Sequence, residues 1–457
     1  MTSIYEIYRN DTTENKENFN NWIEKTIDDY LPIRDKEKNK YGEVFTPRIL
    51  IDEMMDKLNE IDPSVFKNKE LKWLDPANGV GNFPLIVYGK LMEGLKSSIT
   101  DEYERSEHIL RNMLYMVELQ VDNYEVSRKL FSKHANIFCG SFLTTDNKSI
   151  NPNVSKKFKV DKYDIIIGNP PFQKPREKED GTTAGRGQLW PIFTKESLNL
   201  LKNENSLLCF IHPQNWRRPE HKLWEEMTQE RQLHFIKILN EDEGKKQFKA
   251  STKADIYILQ NKPIFTSTEI IDENGKKHNL DLKKLYFLPN SQFKNIQKIL
   301  STKENGIDVI YDTKYHTQKI LTTKENGIDI IHNSFYQASK YLKENEDYEY
   351  KFPVVHTITR KGLGIRFSKF KKGHFGIPKV LLNFGRHQYP YNDYDGKYGM
   401  SQITFGIPIS SKEEGDLIVK AINTPEFKEI IKATKWGAFQ TDYRMFKYFK
   451  KDFWKEF

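Results

Sequence analysis

Two hydrophobic periods share the first 260 residues of this chain. Apolar residues at helical spacing (Trp22, Ile23, Ile27 and Tyr30), followed by a charged connector from Arg34 to Lys40, predict a small helical lead-in over residues 1–40. Leu50, Ile51, Met54, Met55 and Leu58 repeat that spacing, and Thr46-Pro47 just before them predicts an N-cap with proline in the first helical position. Short apolar runs then alternate with helical patterns. Strands are expected at Leu71–Leu74, Met113–Glu118, Asn136–Leu143, Asp164–Gly168, Ser206–His212 and Leu233–Leu239, with a last hairpin element within Phe248–Gln260. Helices are expected from about Phe83 to Leu95, Val121 to Lys133 and Leu189 to Lys202. Strands separated by helices predict a mostly parallel, doubly covered sheet of the α/β class over residues 41–263. Beyond Pro263 the alternation is lost, which places a domain boundary at about 264 and leaves 264–457 as a second, α+β domain.

Two interruptions of the apolar pattern carry candidate chemistry. Ile165-Ile166-Ile167-Gly168 reads as a strand buried on both faces, and Asn169-Pro170-Pro171-Phe172 ends it abruptly, because prolines continue neither a ladder nor a helix. The bland reading is a proline turn. The sharper one is that the Asn169 side chain and the Pro170 carbonyl accept hydrogen bonds from an amino group while Phe172 stacks on the ring that carries it. The second interruption is Asp75-Pro76-Ala77-Asn78-Gly79-Val80-Gly81, where glycines let a ligand approach the backbone at a strand's carboxyl end. The third glycine and helix-start cradle of a dinucleotide site are absent, which favours a ligand without pyrophosphate. Glu118, ending the next strand, is placed to accept ribose hydroxyls.

Composition narrows the classes further. At 457 residues the chain has room for two or three domains. Its formal net charge of +8 with 13% aromatic residues is permissive for nucleic-acid binding. Only Cys139 and Cys209 occur, excluding a disulfide framework or a cysteine-rich zinc site. With neither an apolar signal core nor a membrane-length apolar run, the expectation is a cytoplasmic protein without a membrane partner. Residues 299–319 and 320–340 form a tandem repeat, read as two helix-turn units. Residues 351–400 hold ten Lys or Arg against two Asp, interleaved with nine Phe or Tyr. Within them Arg360, Lys361, Arg366, Lys371, Lys372 and Arg386 are candidates for phosphate or base contact, as are Arg217 and Arg218 in the turn Pro213–Pro219.

Taken in order, Phe45-Thr46-Pro47, Asp75 to Phe83, Glu118, Ser141-Phe142 and Asn169 to Phe172 resemble the gamma-type amino DNA methyltransferases, over roughly residues 40–263. The resemblance implies a Rossmann-like class I methyltransferase domain with a seven-stranded sheet, S-adenosyl-L-methionine as cofactor, and a C-terminal target recognition domain. It implies cofactor contacts from Phe45, Thr46, Pro47, Asp75, Ala77, Gly79, Glu118, Ser141 and Phe142, and catalysis by Asn169, Pro170 and Phe172. Phe248 matches the aromatic that packs on the far side of the flipped base. Ser141 departs from the pattern, which usually places there an Asp that accepts from the cofactor's adenine amino group. The activity implied is site-specific methylation of adenine in double-stranded DNA by a monomer without a nuclease domain, with a separate cognate restriction endonuclease as a compatible partner. With only about 40 residues before Phe45 and no Pro-Asp…Glu-x-Lys cluster in the C-terminal part, cleavage is not expected. Two other readings stay open: a methyltransferase acting on glutamine or ribosomal RNA amino groups, and a non-catalytic DNA-binding subunit of a heteromer.

Overall fold

The computed structural model describes residues 4–9, 46–174, 187–248, 253–301, 320–321, 330–331, 341–371, 375–385, 387–437 and 441–457. The lead-in residues 10–40, Phe45, Arg386, Lys372 and most of the tandem repeat lie outside them.

Two compact units divide the chain: Met1–Trp216 with Glu225–Asp281, and Arg217–Trp224 with Leu282–Phe457. In the first unit nine strands make one sheet: β1 Trp73–Asp75, β2 Leu114–Glu118, β3 Asn136–Cys139, β4 Ile165–Gly168, β5 Leu207–Pro213, β6 Gln232–Leu239, β7 Ala254–Gln260, β8 Thr268–Ile271 and β9 Lys277–Leu280. Their spatial order is β3-β2-β1-β4-β5-β7-β6-β8-β9. The first five are parallel, and β7 runs antiparallel to both β5 and β6. Every residue of β1, β2 and β4 is buried, as expected for strands covered on both faces. The helix Arg48–Ile61 buries the five apolar residues that its spacing singled out.

Several expectations need correcting. The sheet continues past the boundary expected at 264, because β8 pairs in parallel with β6 and β9 closes a hairpin on β8. That hairpin turns at the polar run Glu273–Lys276 and carries half-exposed residues on β9, so its sequence reads as loop. Phe248 ends the helix Glu241–Phe248 instead of opening a strand. Thr46 caps nothing: Pro47 occupies the cap position, and no side chain there accepts a helix N–H.

In the second unit, one sheet joins Ile320–Leu321, Ile330–Ile331, Thr404–Pro408, Lys379–Asn383 and Tyr391–Asp393, and another joins Leu342–Lys343, Gly362–Ser368, Phe352–Thr359 and Gly399–Met400. The helices Lys412–Asn423 and Pro425–Ala433 make it α+β. Of the repeat, the described parts differ between copies: Ile299 ends the helix Phe293–Ile299, whereas Ile320–Leu321 is a strand paired antiparallel with Ile330–Ile331. Among the described residues the two copies therefore begin differently, and most of the rest of the repeat lies outside them. Lys379, with no side-chain exposure, donates to Asp393 at 2.7 Å, an ion pair sealed inside this unit.

Candidate active site

Chain order reverses between β1 and β4: β2 and β3 extend to one side of β1, β4 and β5 to the other. In such sheets the connections diverge at the carboxyl ends and leave a crevice. A cavity of about 350 Å³ occupies this position, walled by the residues that leave β1, β2, β3 and β4.

The β1 wall is a braced glycine turn. Glu118 at the end of β2 accepts from the Gly79 N–H at 2.8 Å and from the Gln120 N–H at 2.7 Å, so one carboxylate fixes two loops. Asn78 donates from Nδ2 to the Ser127 hydroxyl at 2.9 Å, anchoring the turn to the helix Val121–Phe131. Gly81 has φ +100°, and a Cβ there would stand 2.4 Å from Phe131. Backbone approach at this turn is thus enforced by packing as well as by φ.

Asp75 is buried with 2% exposure, and its Oδ1 accepts from the Ala77 N–H at 3.0 Å. Its Oδ2 accepts from no described group, and burial pushes the carboxyl up to about 7. Neither Asp75 nor Pro47 is among the residues that line the cavity. Gly168, with φ +146°, passes so close that a Cβ would meet Asp75 Oδ1 at 2.9 Å.

The β4 wall is Asn169-Pro170-Pro171-Phe172, all on the cavity. Asn169 donates from Nδ2 to the Thr46 hydroxyl at 3.2 Å, across 123 residues of sequence, which explains why Thr46 serves here and not as a helix cap. Phe172 is 9% exposed. Below it, Gln173 pairs with Gln188, and the Lys174 N–H donates to the Gly187 carbonyl at 3.0 Å. Residues 175–186, between these two pairings, lie outside the described residues.

On the β3 side, Phe142 is buried on the cavity wall. The Ser141 hydroxyl donates to the Leu143 carbonyl at 2.7 Å and accepts from the Leu143 N–H at 3.2 Å. The structure thus brings Thr46, Ala77, Gly79, Glu118, Ser141, Phe142, Asn169, Pro170 and Phe172 to one cavity. It does not bring Phe248, which is 3% exposed within the hydrophobic core. Sequence reasoning missed Leu119, an apolar side chain 53% exposed on the same wall, and the loop Thr144–Asn147. Leu119 had a signal: an aliphatic residue directly after a strand-end carboxylate has no core to enter.

The basic candidates separate in the second unit. Arg217 is fully buried, donating to the carbonyls of Leu288 at 2.8 Å and Pro289 at 3.0 Å and to Asn290 Oδ1 at 2.8 Å. A guanidinium so engaged is a structural brace, and the expected nucleic-acid contact at Arg217 is withdrawn. Arg218 is half-buried, its Nε donates to no described group, and burial together with Arg444 lowers its pKa. Arg360 and Lys361 are exposed at the turn between the strands Phe352–Thr359 and Gly362–Ser368. Arg366 is half-buried and reaches Glu344 at 3.4 Å.

The strand order and the crevice define the first unit as a class I methyltransferase fold with a second, α+β unit attached. The chain belongs to the Eco57I restriction-modification methylase family, whose sequence model matches residues 7–248. An uncharacterized adenine-specific methylase of Mycoplasma pneumoniae is 26% identical over 253 residues, 41% of this chain and 58% of that protein. Among solved structures, the modification subunit of a putative type I restriction enzyme from Vibrio vulnificus YJ016 has a TM-score of 0.40 at 18% identity, covering 57% of this chain and 53% of that one. The type IIL restriction-modification enzyme MmeI in complex with DNA has a TM-score of 0.47 at 14% identity, covering 85% and 65%. The chain thus spans a little over half the length of the Mycoplasma relative.

Proposed function

We propose that the chain is a site-specific DNA adenine methyltransferase that uses S-adenosyl-L-methionine. The observation that carries this is the sharing of one cavity by Asn169, Pro170 and Phe172 with the Glu118-braced glycine turn. The residues present suit the cofactor. A carboxylate stands at the end of β2, apolar Leu119 and Phe142 flank it, and the turn through Gly79 and Gly81 leaves room for close backbone approach. When bound, S-adenosylmethionine supplies an electrophilic methyl group on a sulfonium.

The chain's own part is to make an amino nitrogen nucleophilic and to aim it. Adenine's amino lone pair is delocalised into the ring. Acceptance of its two hydrogens by Asn169 Oδ1 and the Pro170 carbonyl draws that pair back onto nitrogen. Thr46 assists by accepting from the Asn169 amide nitrogen at 3.2 Å, which holds the orientation of the side chain on the cavity wall. Phe172 offers a stacking face for a base swung out of the duplex, and with Phe248 in the core this face acts alone among the described aromatics proposed for it. The proton leaves to solvent after transfer.

Double-stranded DNA is the partner, met through Arg218, Arg360, Lys361 and Arg366 of the second unit, which serves as the target recognition region. We take the enzyme to act as a stand-alone monomer that does not cut DNA itself, with a separate cognate restriction endonuclease as a compatible partner. The glutamine or RNA reading and the non-catalytic reading are tested together with the main one. Long-read sequencing of DNA from cells expressing the chain is expected to find methylated adenines at one sequence context, lost with Asn169→Ala. Marks that persist in that control would refute the catalytic assignment. Calorimetric titration that finds no S-adenosylmethionine binding would leave the non-catalytic subunit, and Mg²⁺-dependent cutting by the purified chain would sink the claim of methylation alone.

A further inference from the structure

We infer that Asn147 reads the amino edge of the cofactor's adenine, a contact that Ser141 does not make. The inference rests on the reading of this cavity as an S-adenosylmethionine site. The Ser141 side chain is already engaged: its hydroxyl both donates to and accepts from Leu143, and its carbonyl accepts from Asn151 Nδ2 at 2.9 Å. Along the wall, Glu118 stands where the ribose is placed and Leu119 and Phe142 where the ring is. The next segment beyond Phe142 on the cavity is Thr144–Asn147.

That segment is a closed, braced turn. The Asn147 N–H donates to the Thr144 carbonyl at 2.8 Å, the Thr144 hydroxyl donates to Asp146 Oδ1 at 2.7 Å, and the same oxygen accepts from the Lys148 N–H at 3.2 Å. Asp146 is thereby used inside the turn and is not on the cavity wall. Asn147 is on the wall, half-buried, with φ 55°, a left-handed conformation that Asn tolerates and that most residues do not. Its amide is almost uncommitted. Nδ2 lies 3.5 Å from the Thr145 carbonyl, the outer limit of a hydrogen bond, and Oδ1 accepts from no described group. A carboxamide presents an acceptor beside a donor, and adenine presents its amino donor beside a ring-nitrogen acceptor, so the two edges match bidentately. The neutral amide would thus replace the carboxylate that the Ser141 position lacks.

The test uses the full chain and two cofactor products that differ in this group alone: S-adenosylhomocysteine, and its deamino analogue, whose purine ring carries hydrogen in place of the amino group. Asn147→Gly removes the amide while accommodating the left-handed backbone. By calorimetry the wild-type chain is expected to prefer the adenosyl compound, and Asn147→Gly to lose about tenfold in affinity for it and at most about threefold for the deamino analogue. Ser141→Ala, acting only within its own turn, is expected to shift both ligands alike. Equal losses for both ligands in Asn147→Gly would mean that the substitution merely loosened the loop, and no loss would remove Asn147 from recognition; either overturns the inference. Wild-type protein that binds neither compound would overturn the reading of the cavity itself, a different result from a variant that binds without discriminating.

Discussion

Two turns leave neighbouring strands of the same sheet and meet opposite fates. Asn169–Phe172 after β4 and Pro213–Pro219 after β5 both follow a buried apolar strand, and both join prolines to polar or aromatic side chains. The first keeps Asn169, Pro170 and Phe172 on a cavity. The second turns its polar atoms inward: Gln214 Nε2 donates to the Leu239 carbonyl at 2.8 Å, Trp216 Nε1 to Asp255 Oδ2 at 2.8 Å, and Arg217 to three oxygens of 288–290. A polar residue at a strand's carboxyl end is therefore not by itself a ligand contact. What separates the cases is where the side chains are held: on a cavity wall at Asn169, and against buried carbonyls and Asp255 in the second turn.

The comparison is broken most forcefully by swapping the two readouts. Arg217→Ala takes the guanidinium from the buried Pro289 carbonyl and Asn290 Oδ1, while the Leu288 carbonyl keeps Trp436 Nε1 as a donor, and is expected to cost about 3–5 kcal/mol of stability, read as a fall in denaturant midpoint. Should this variant instead stay stable and lose DNA affinity, Arg217 would be a ligand contact after all. Asn169→Ala is expected to do the reverse. Methyl transfer in a single turnover should fall by about 10²–10³-fold, while the midpoint moves by no more than about 1 kcal/mol, the scale of a hydrogen bond such as that to Thr46. A large stability loss in Asn169→Ala would erase the distinction between the turns.

Much of the first turn was legible because local sequence dictates it. Three consecutive isoleucines demand burial, two prolines end the strand, and the spacing of Asp75, Glu118 and Asn169 at successive strand ends follows from the sheet itself. The second turn was not legible. Arg217 is satisfied by carbonyls some 70 residues further on, and no local pattern announces which distant backbone will meet a side chain. Phe248 was misplaced for a related reason: an aromatic near a loop is as fit for a core as for a base, and packing decided for the core. Asp75 reads as a ligand residue because it ends a strand, yet its side chain is buried, accepts from the Ala77 N–H and does not line the cavity.

That position of Asp75 predicts a smaller, pH-dependent effect. Its folded carboxyl holds a proton up to about 7, whereas in the unfolded chain it titrates near its ordinary value of 3.8. Between these two values the unfolded chain binds fewer protons, so this group's contribution to stability is fully present below about 4 and lost as pH rises through about 7. Asp75→Asn keeps an oxygen for the Ala77 N–H and removes the titration. The difference in denaturant midpoint between pH 5 and pH 8 is expected to narrow in the variant. An unchanged difference would mean that Asp75 is ionised, and so charged, in the folded state throughout.

The smallest effect sharpens what exposure means on the basic side of the comparison. Arg360 and Lys361 sit exposed at a hairpin turn, the opposite of Arg217 in every respect that mattered above. Single alanine substitutions there should leave stability untouched and weaken DNA binding uniformly across sequences. Phosphate contacts carry no sequence information, but each releases a counterion, so the slope of log K against log salt should become shallower by about 0.9 per contact removed. Binding measured on cognate and scrambled duplexes over a range of salt concentrations separates the alternatives. An unchanged slope would make the pair a solvated turn, and a loss confined to the cognate duplex would place one of them on a base edge, where geometry and not charge sets the contact.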